Sequence, residues 1–318
     1  STLAPEPATV EELPEIVIGP PIEPVAIEPS AEKTDIPEVA QLPPVSILLT
    51  NLQPAYASVA AELEKLFEQY VVYDLSDLSG PPVTVLRQIN DSDSGAVIAI
   101  GLRAARSAIA MSNVPVVFSQ VFNHQDHDLL GENSRGIAAL APLDAQIAAW
   151  KNIDPTVARI GIIVGEGHDD LVAEAESAAE RHNVEMLVKI ARSDQETLYL
   201  FKRMVRDVDG YWLFPDNRIL SARILQEMLE EANRHRVHVV VPNESMLDMG
   251  AAISMSTVAS DIAAAIVRVV RQIQAGKIDL VPPLSSLSEV RVATNDELLR
   301  KPAVANSLRE AAIEDPNR

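Results

Sequence analysis

From Val45 onward the chain alternates short apolar runs with amphipathic segments. The run "VSILLT" (45–50) is typical of a strand that is covered on both faces, and Pro54 then starts a helix as a first-turn proline. Because the same pair of patterns recurs along the chain, helices must connect successive strands, and such connections make the sheets parallel. The alternation therefore predicts an α/β protein.

The first half is predicted to contain four strands joined by helices. A loop-rich crossing segment over 120–141 follows, and then a helix over 141–153 that leads into a second half. The predicted strands are "VSILLT" (45–50), "YVVYDL" (70–75), "AVIAIG" (96–101) and "VPVVFS" (114–119).

The second half repeats the pattern. Its predicted strands are 159–165, 185–191, 211–215, 237–242 and 251–256, and its helices are 169–182, 194–207, 218–235 and 257–275. Two similar halves predict two Rossmann-like lobes with parallel sheets and a cleft between them. We expect an N-terminal lobe over 45–155, joined by the returning segment 277–318, and a C-terminal lobe over 156–276.

Residues 1–44 differ in composition from the rest. They hold ten of the 22 prolines, and nine acidic residues against the single Lys33. Such a segment buries too little apolar surface to offset its ordering entropy, so we predict a disordered acidic linker. Its repeated Ile-Glu-Pro units leave a docking peptide as the alternative.

Charge and composition exclude several classes of function. The net charge of −20 would repel nucleic acid and anionic membrane surfaces. The absence of cysteine excludes disulfides and thiolate metal sites, and no apolar run reaches 18 residues. Because the sequence starts at Ser1, we expect a mature product whose signal segment, with or without a lipid anchor, has been removed.

Polar residues follow several predicted strands, and ligands bind at the carboxyl ends of parallel strands. Asp216 and Asn217 come after "YWLFP", where they would grip a ligand, cap the helix expected from Arg218, or do both. Asn51 and Gln53 follow the first strand, where they would bind a solute or close the turn.

Two charged features have alternative interpretations. Arg103 lies in the first turn of a predicted helix, where the dipole disfavours a cation, so either a bound anion or solvent would surround it. The stretch "NHQDHD" (123–128) clusters histidines with carboxylates, but it lacks metal-ligand spacing, so a hydrated hinge loop is favoured over a metal site. We predict no metal and no cofactor.

The ensemble of strand ends, from "VPVVFSQ" through "RIGIIVG" and "GYWLFPDNR" to "VHVVVPNES" and "AAISMS", resembles ABC-transporter substrate-binding proteins of the type I periplasmic-binding-protein fold. The branch that it resembles includes binders of tryptophan and other aromatic amino acids. The resemblance covers roughly residues 45–300. It implies two lobes that close on a small solute and present it to a membrane permease.

The contact positions depart from the family pattern in several places. The family's Pro-x-Asp-Asn element survives as Pro215-Asp216-Asn217, but its Gly-Thr-Pro becomes Gly101-Leu102-Arg103 and its Thr-Asp-Pro becomes Phe122-Asn123-His124. The family's Ser-Asp becomes Ala138-Ala139, its acid-rich element is Asn243-Glu244-Ser245, and Val258 replaces an aspartate. An amino acid needs partners for both of its charges, so these changes predict a divergent ligand site.

The sequence predicts a solute-binding protein rather than an enzyme. It contains no nucleophile elbow, phosphate loop or dinucleotide fingerprint. The expected role is extracytoplasmic binding of a small polar solute, with a permease or cell-envelope protein as partner. The alternative is a degenerate fold that serves as an interaction, scaffold or sensor module. The residues predicted to bind ligand are Asn51, Gln53, Arg103, Asn123, Asp216, Asn217, Asn243 and Glu244.

Overall fold

The computed structural model describes residues 43–77 and 81–299, which form two six-stranded sheets covered by helices. The predicted linker 1–44 lies outside the described residues except for Pro43 and Pro44, and so does the part of the returning segment beyond residue 299.

The first sheet is entirely parallel, with the order β11-β5-β4-β3-β1-β2. Its strands are β1 (Val45–Leu49), β2 (Tyr70–Asp74), β3 (Ala96–Ile100), β4 (Val116–Ser119), β5 (Ser134–Ile137) and β11 (Leu284–Ser285). The connecting helices are α1 (Pro54–Leu66), α2 (Pro82–Asn90) and α3 (Leu102–Met111), and a short 3-10 helix spans His124–His127.

The second sheet has the order β12-β10-β9-β8-β6-β7, and only β12 pairs antiparallel to its neighbour. Its strands are β6 (Arg159–Gly165), β7 (Glu185–Ala191), β8 (Gly210–Trp212), β9 (His238–Val241), β10 (Ile253–Ser256) and β12 (Arg291–Thr294). The remaining helices are α4 (Leu143–Ile153), α5 (Asp169–Arg181), α6 (Asp194–Met204), α7 (Ala222–His235), α8 (Ala259–Gln274) and α9 (Asp296–Leu299), with 3-10 helices at Glu244–Met246 and Ile278–Leu280.

The predicted two-lobed α/β architecture is confirmed. In both sheets the strand that comes first in the chain lies between the second and third, so each sheet reverses direction at an equivalent point, between β1 and β3 and between β6 and β8. Ligands of open parallel sheets bind at such switch points, outside the carboxyl ends of the strands.

The segment 120–141, expected to be loop-rich, also contains β5, a strand that was not predicted. Arg135 interrupts the apolar pattern of that strand although it is buried. Its guanidinium donates hydrogen bonds to the carbonyls of Val281 (3.0 Å) and Ile278 (2.9 Å), which offset the loss of water around the charge. A strand stabilised in this way leaves no apolar signature in the sequence.

Helix α8 follows β10 of the second sheet in the chain but packs on the first sheet. Its apolar face, which includes Ile262, Ile266 and Val270, shares one core with Leu63 of α1 and Ile98 of β3. The lobe boundaries at 155 and 276 stay a prediction, but α8 lies in the core of the first lobe.

Three described segments pass between the two sheets, at 138–142, 257–258 and 286–290. Asp261, at the start of α8, ties two of them together, because its carboxylate accepts hydrogen bonds from Ser288 N (2.7 Å), Ser288 Oγ (2.6 Å) and Glu289 N (2.9 Å). Burial disfavours the charge, but these hydrogen bonds outweigh it and hold the pKa of Asp261 below its ordinary value.

We expect Asp261→Asn to lower the free energy of unfolding by about 1–3 kcal/mol. The NH₂ group of the asparagine is a donor, and it would face the backbone N–H groups of Ser288 and Glu289, which are donors too. Urea unfolding followed by circular dichroism measures the loss. The exposed Asp279 supplies the control Asp279→Asn, which should unfold like the parent chain. Equal stability of the two variants would contradict a structural role for Asp261.

Candidate functional site

The carboxyl ends of strands from both sheets meet at one place. Asn123 follows β4 of the first sheet, while His168 and Asp216 follow β6 and β8 of the second. All three side chains are buried, and they contact one another. We call Asn123, Asp126, His168, Asp216, Asn217 and Arg218 the interlobe network.

Asp216 lies at the centre of this network, with only 1% of its surface exposed. Its own segment contributes three donors, namely Arg218 N (3.1 Å), Nε (2.8 Å) and Nη2 (2.7 Å). Gly165 N (3.1 Å), Asn123 Nδ2 (3.1 Å) and His168 Nε2 (3.4 Å) approach from other segments. A carboxylate offers about four lone-pair positions, so its hydrogen-bonding capacity is filled.

The surroundings of Asp216 keep its carboxylate ionised. Burial on its own would raise the pKa, but the hydrogen bonds from Arg218 and His168 outweigh burial and hold the pKa of Asp216 far below its ordinary value. The carboxylate is therefore a fixed negative charge rather than a group available for proton transfer.

Asn123 joins the two lobes through its carboxamide. Its Nδ2 donates to Asp216 Oδ1 and to Asn217 Oδ1, each at 3.1 Å, while its Oδ1 lies 3.0 Å from His168 Nε2. Because Oδ1 only accepts, the imidazole must carry its hydrogen on Nε2. The ring of His168 in turn packs 4.8 Å from that of Phe122.

Arg218 makes a second connection between the lobes. While Nε and Nη2 hold Asp216 in a fork, Nη1 reaches Asp126 Oδ2 of the first lobe at 3.0 Å and the Glu166 carbonyl at 3.0 Å. The ion pair with Asp126 is partly exposed, so water and salt screen it more than the pair with Asp216.

Of the eight residues predicted to bind ligand, the structure brings together Asn123, Asp216 and Asn217. Asn51 Oδ1 accepts a hydrogen bond from Gln53 N (3.0 Å), which closes the turn before α1. Asn243 Oδ1 accepts hydrogen bonds from Ser245 N and Oγ, both at 3.0 Å, and Glu244 lies 3.5 Å from Arg291. Ligand binding by these residues stays a prediction.

Arg103 lies elsewhere, in the wall of an open groove of about 710 Å³ beside α3. The residues lining this groove all lie between Thr50 and Leu129, so they belong to the first lobe. Arg106 and His127 line the same groove.

The interpretation of Asp216 and Asn217 as caps for a helix starting near Arg218 was wrong. Helix α7 begins at Ala222, and the side chain of Ser221 caps it by accepting a hydrogen bond from Ile224 N. Arg218 was not predicted to be a site residue. The only sequence signal for Arg218 was its position two residues after Asp216, from which its guanidinium can donate two hydrogen bonds to the carboxylate.

Two further features bear on the chemistry of the site. Within residues 43–77 and 81–299, no group of three or more His, Asp or Glu side chains is arranged to hold a metal ion. In the same part of the chain, no helix combines the length and apolarity needed to cross a bilayer.

A protein-family model described as "ABC transporter substrate binding protein" matches residues 76–307. A comparison with curated protein sequences gave no significant match.

Solved structures of distant relatives share the fold. A ligand-free, open substrate-binding protein with adhesive properties from Clostridium difficile has a TM-score of 0.62 at 14% identity, over 83% of this chain and 97% of that one. An ABC domain in complex with L-Trp from Streptococcus pneumonia has a TM-score of 0.56 at 17% identity, over 81% and 93%. A conserved domain protein from Vibrio cholerae has a TM-score of 0.55 at 18% identity, over 84% of this chain and 98% of that one. These likenesses confirm the type I periplasmic-binding-protein fold.

We expect Asp216→Asn to destabilise the protein by about 1.5–3 kcal/mol at pH 7, since it removes charged hydrogen bonds from a buried site. Below its ordinary pKa, near 3.8, Asp216 takes up a proton in the unfolded chain but not in the folded one. Its contribution is therefore fully present above that value and is lost as the pH falls.

The difference in stability between parent and Asp216→Asn should consequently shrink from pH 6 to pH 3 in urea titrations. The exposed Asp248 provides the control Asp248→Asn, whose difference from the parent should stay near zero throughout. A difference for Asp216→Asn that does not change with pH would contradict the assigned ionisation.

Proposed function

Because the chain belongs to the ABC transporter substrate-binding protein family, we propose that it is the solute-binding component of an ABC-type uptake system. In this proposal it acts outside the cytoplasm, takes up a small polar solute between its two lobes, and delivers it to a membrane permease. A lipid anchor in a segment preceding Ser1 would keep it at the membrane surface. The observation that carries the proposal is the meeting of strand ends from both sheets at the interlobe network.

Closure of the lobes is the proposed mechanism. The three segments that pass between the sheets, at 138–142, 257–258 and 286–290, act as the hinge. Contacts across the network, such as the one between Asn123 and Asp216, form part of the closed arrangement. A solute that contacts both lobes binds the closed arrangement more strongly than the open one. Binding therefore shifts the equilibrium by the difference between these two affinities.

The filled coordination of Asp216 favours a second candidate function. Its carboxylate already accepts five hydrogen bonds from the protein, so it offers no free acceptor to the ammonium group of an amino acid. Contacts that hold the lobes together without a solute suit a fold that works as an interaction or sensor module in a cell-envelope complex.

Distance measurements between spin labels test the closure. The chain has no cysteine, so Gln88→Cys on α2 and Lys202→Cys on α6, both exposed, give one labelled position in each lobe. A screen of amino acids, carboxylates and nucleosides by thermal unfolding selects the solute, since a ligand at 100 times its Kd stabilises the folded state by about 2.7 kcal/mol. We expect that solute to shift and narrow the distance distribution.

Adding Asn123→Ala should broaden the distribution without solute, because the contact between Asn123 and Asp216 is lost. Ser245→Ala, an exposed change away from the network, serves as the matched control. If no compound in the screen alters the melting temperature or the distances, the uptake role is contradicted. A protein partner that remains bound through purification would then support the interaction module.

A further inference from the structure

Strand β2 forms one edge of the first sheet, since it pairs with β1 alone. Tyr70, Val71 and Val72 are exposed on it, at 36%, 50% and 38%, and the strand carries no charge before its last residue, Asp74. Such an edge is a template for pairing with another strand. We propose that β2 binds β2 of a second copy of this chain, antiparallel and about a two-fold axis at Val72.

The other three sheet edges have features that prevent such pairing. Strand β7, at the equivalent edge of the second sheet, exposes Glu185 and Lys189. Strand β11 has only two residues and follows Pro282 and Pro283, and β12 begins with the exposed Arg291. Charges, prolines and short strands are the usual means of protecting an edge. Among the described residues, β2 is therefore the edge without protection.

The hydrogen bonds to β1 determine which backbone groups of β2 are directed outward. Gln69 O accepts a hydrogen bond from Val45 N (3.1 Å), and Leu75 N donates one to Leu49 O (2.9 Å). Because successive residues of a strand direct their backbone groups to opposite sides, the odd-numbered residues of β2 face β1. Three residues direct their N–H and C=O groups away from β1, namely Tyr70, Val72 and Asp74.

A two-fold axis at Val72 uses all three of these residues. It places Val72 opposite the partner's Val72, and Tyr70 opposite the partner's Asp74. Each of these pairs exchanges two hydrogen bonds, so about six form across the axis. The single charge of the strand then lies opposite a tyrosine, whereas parallel pairing in register would put two copies of Asp74 side by side. The strand is complementary to itself, which favours a second copy over an unrelated peptide.

The side chains on both faces of β2 suit the same pairing. Tyr70 Oη donates a hydrogen bond to Glu64 Oε2 of α1 (3.3 Å), so the even-numbered side chains lie on the face that α1 covers. Tyr73 packs against the core beneath α2 and α3, on the opposite face. There the two-fold axis places Val71 opposite the partner's Tyr73, and pairs of aromatic and β-branched side chains stabilise neighbouring strands. The two first sheets would join into one twelve-stranded sheet.

Analytical ultracentrifugation of the full chain from about 1 to 200 µM tests the proposal, since the dimer fraction depends on protomer concentration. We expect the mass to rise to that of two chains. Val72→Lys would put two ammonium groups opposite each other, so it should weaken the dimer at least about tenfold. Val72→Thr keeps a β-branched side chain and is the matched control, which should dimerise like the parent. Circular dichroism checks that both variants are folded.

Cysteine cross-linking tests the register, because the chain has no cysteine of its own. Directly opposite residues in a hydrogen-bonded pair have Cα atoms about 5.5 Å apart, within the reach of a disulfide. Val72→Cys should therefore form a covalent dimer under mild oxidation. Val71→Cys lies diagonal to its own copy and should cross-link at least about tenfold more slowly, since disulfides need Cα atoms less than about 7 Å apart. Ile190→Cys, which is equally exposed on β7, should stay monomeric.

The interface uses none of the residues of the interlobe network, so these measurements are separate from the test of the proposed function. A dimer that Val72→Lys weakens, and that Val72→Cys captures, supports the β2 interface. A chain that stays monomeric throughout overturns it and leaves the edge to another segment of the chain or to another protein. Equal dimerisation of Val72→Lys and Val72→Thr would also overturn it, as would cross-linking of Ile190→Cys at the rate of Val72→Cys.

Discussion

The structure depends on a carboxylate that is almost completely removed from water. A buried charge is stable only when donors surround it, and both lobes contribute donors to Asp216. Arg218 and Gly165 come from the second lobe, while Asn123 comes from the first. The hydrogen bond from Asn123 therefore links this buried charge of the second lobe to the strand ends of the first.

Polar residues near the strand ends fall into two groups, those that bind one another in the interlobe network and those that have no partner among the described residues. Those at the centre, Asp216 and Asn123, serve the protein's own cohesion, which leaves few free groups to recognise a solute between the lobes. Unpaired cationic groups remain at the side, where Arg103 and Arg106 line the groove of the first lobe.

The fold was predictable from the sequence because continuous apolar runs and amphipathic repeats are local signals. Strands β6 and β7 were predicted to the residue, and most helices within two or three. Strand β5 was missed because its buried Arg135 finds two of its acceptors, the carbonyls of Ile278 and Val281, nearly 150 residues away, and no local pattern reports that. The site was predicted in part. Positions at strand ends identified Asn123 and Asp216, but not Arg218, whose role depends on three segments meeting in space.

The packing of α8 on the first sheet has a consequence for the order in which the chain matures during translation. The core around α1 needs Ile262, Ile266 and Val270, which are synthesised long after Leu66 has left the ribosome. At about 5–20 residues per second, that interval is roughly 10–40 s. During this interval the apolar face of α1 is not covered by α8. The N-terminal half therefore cannot complete its core until α8 has been synthesised.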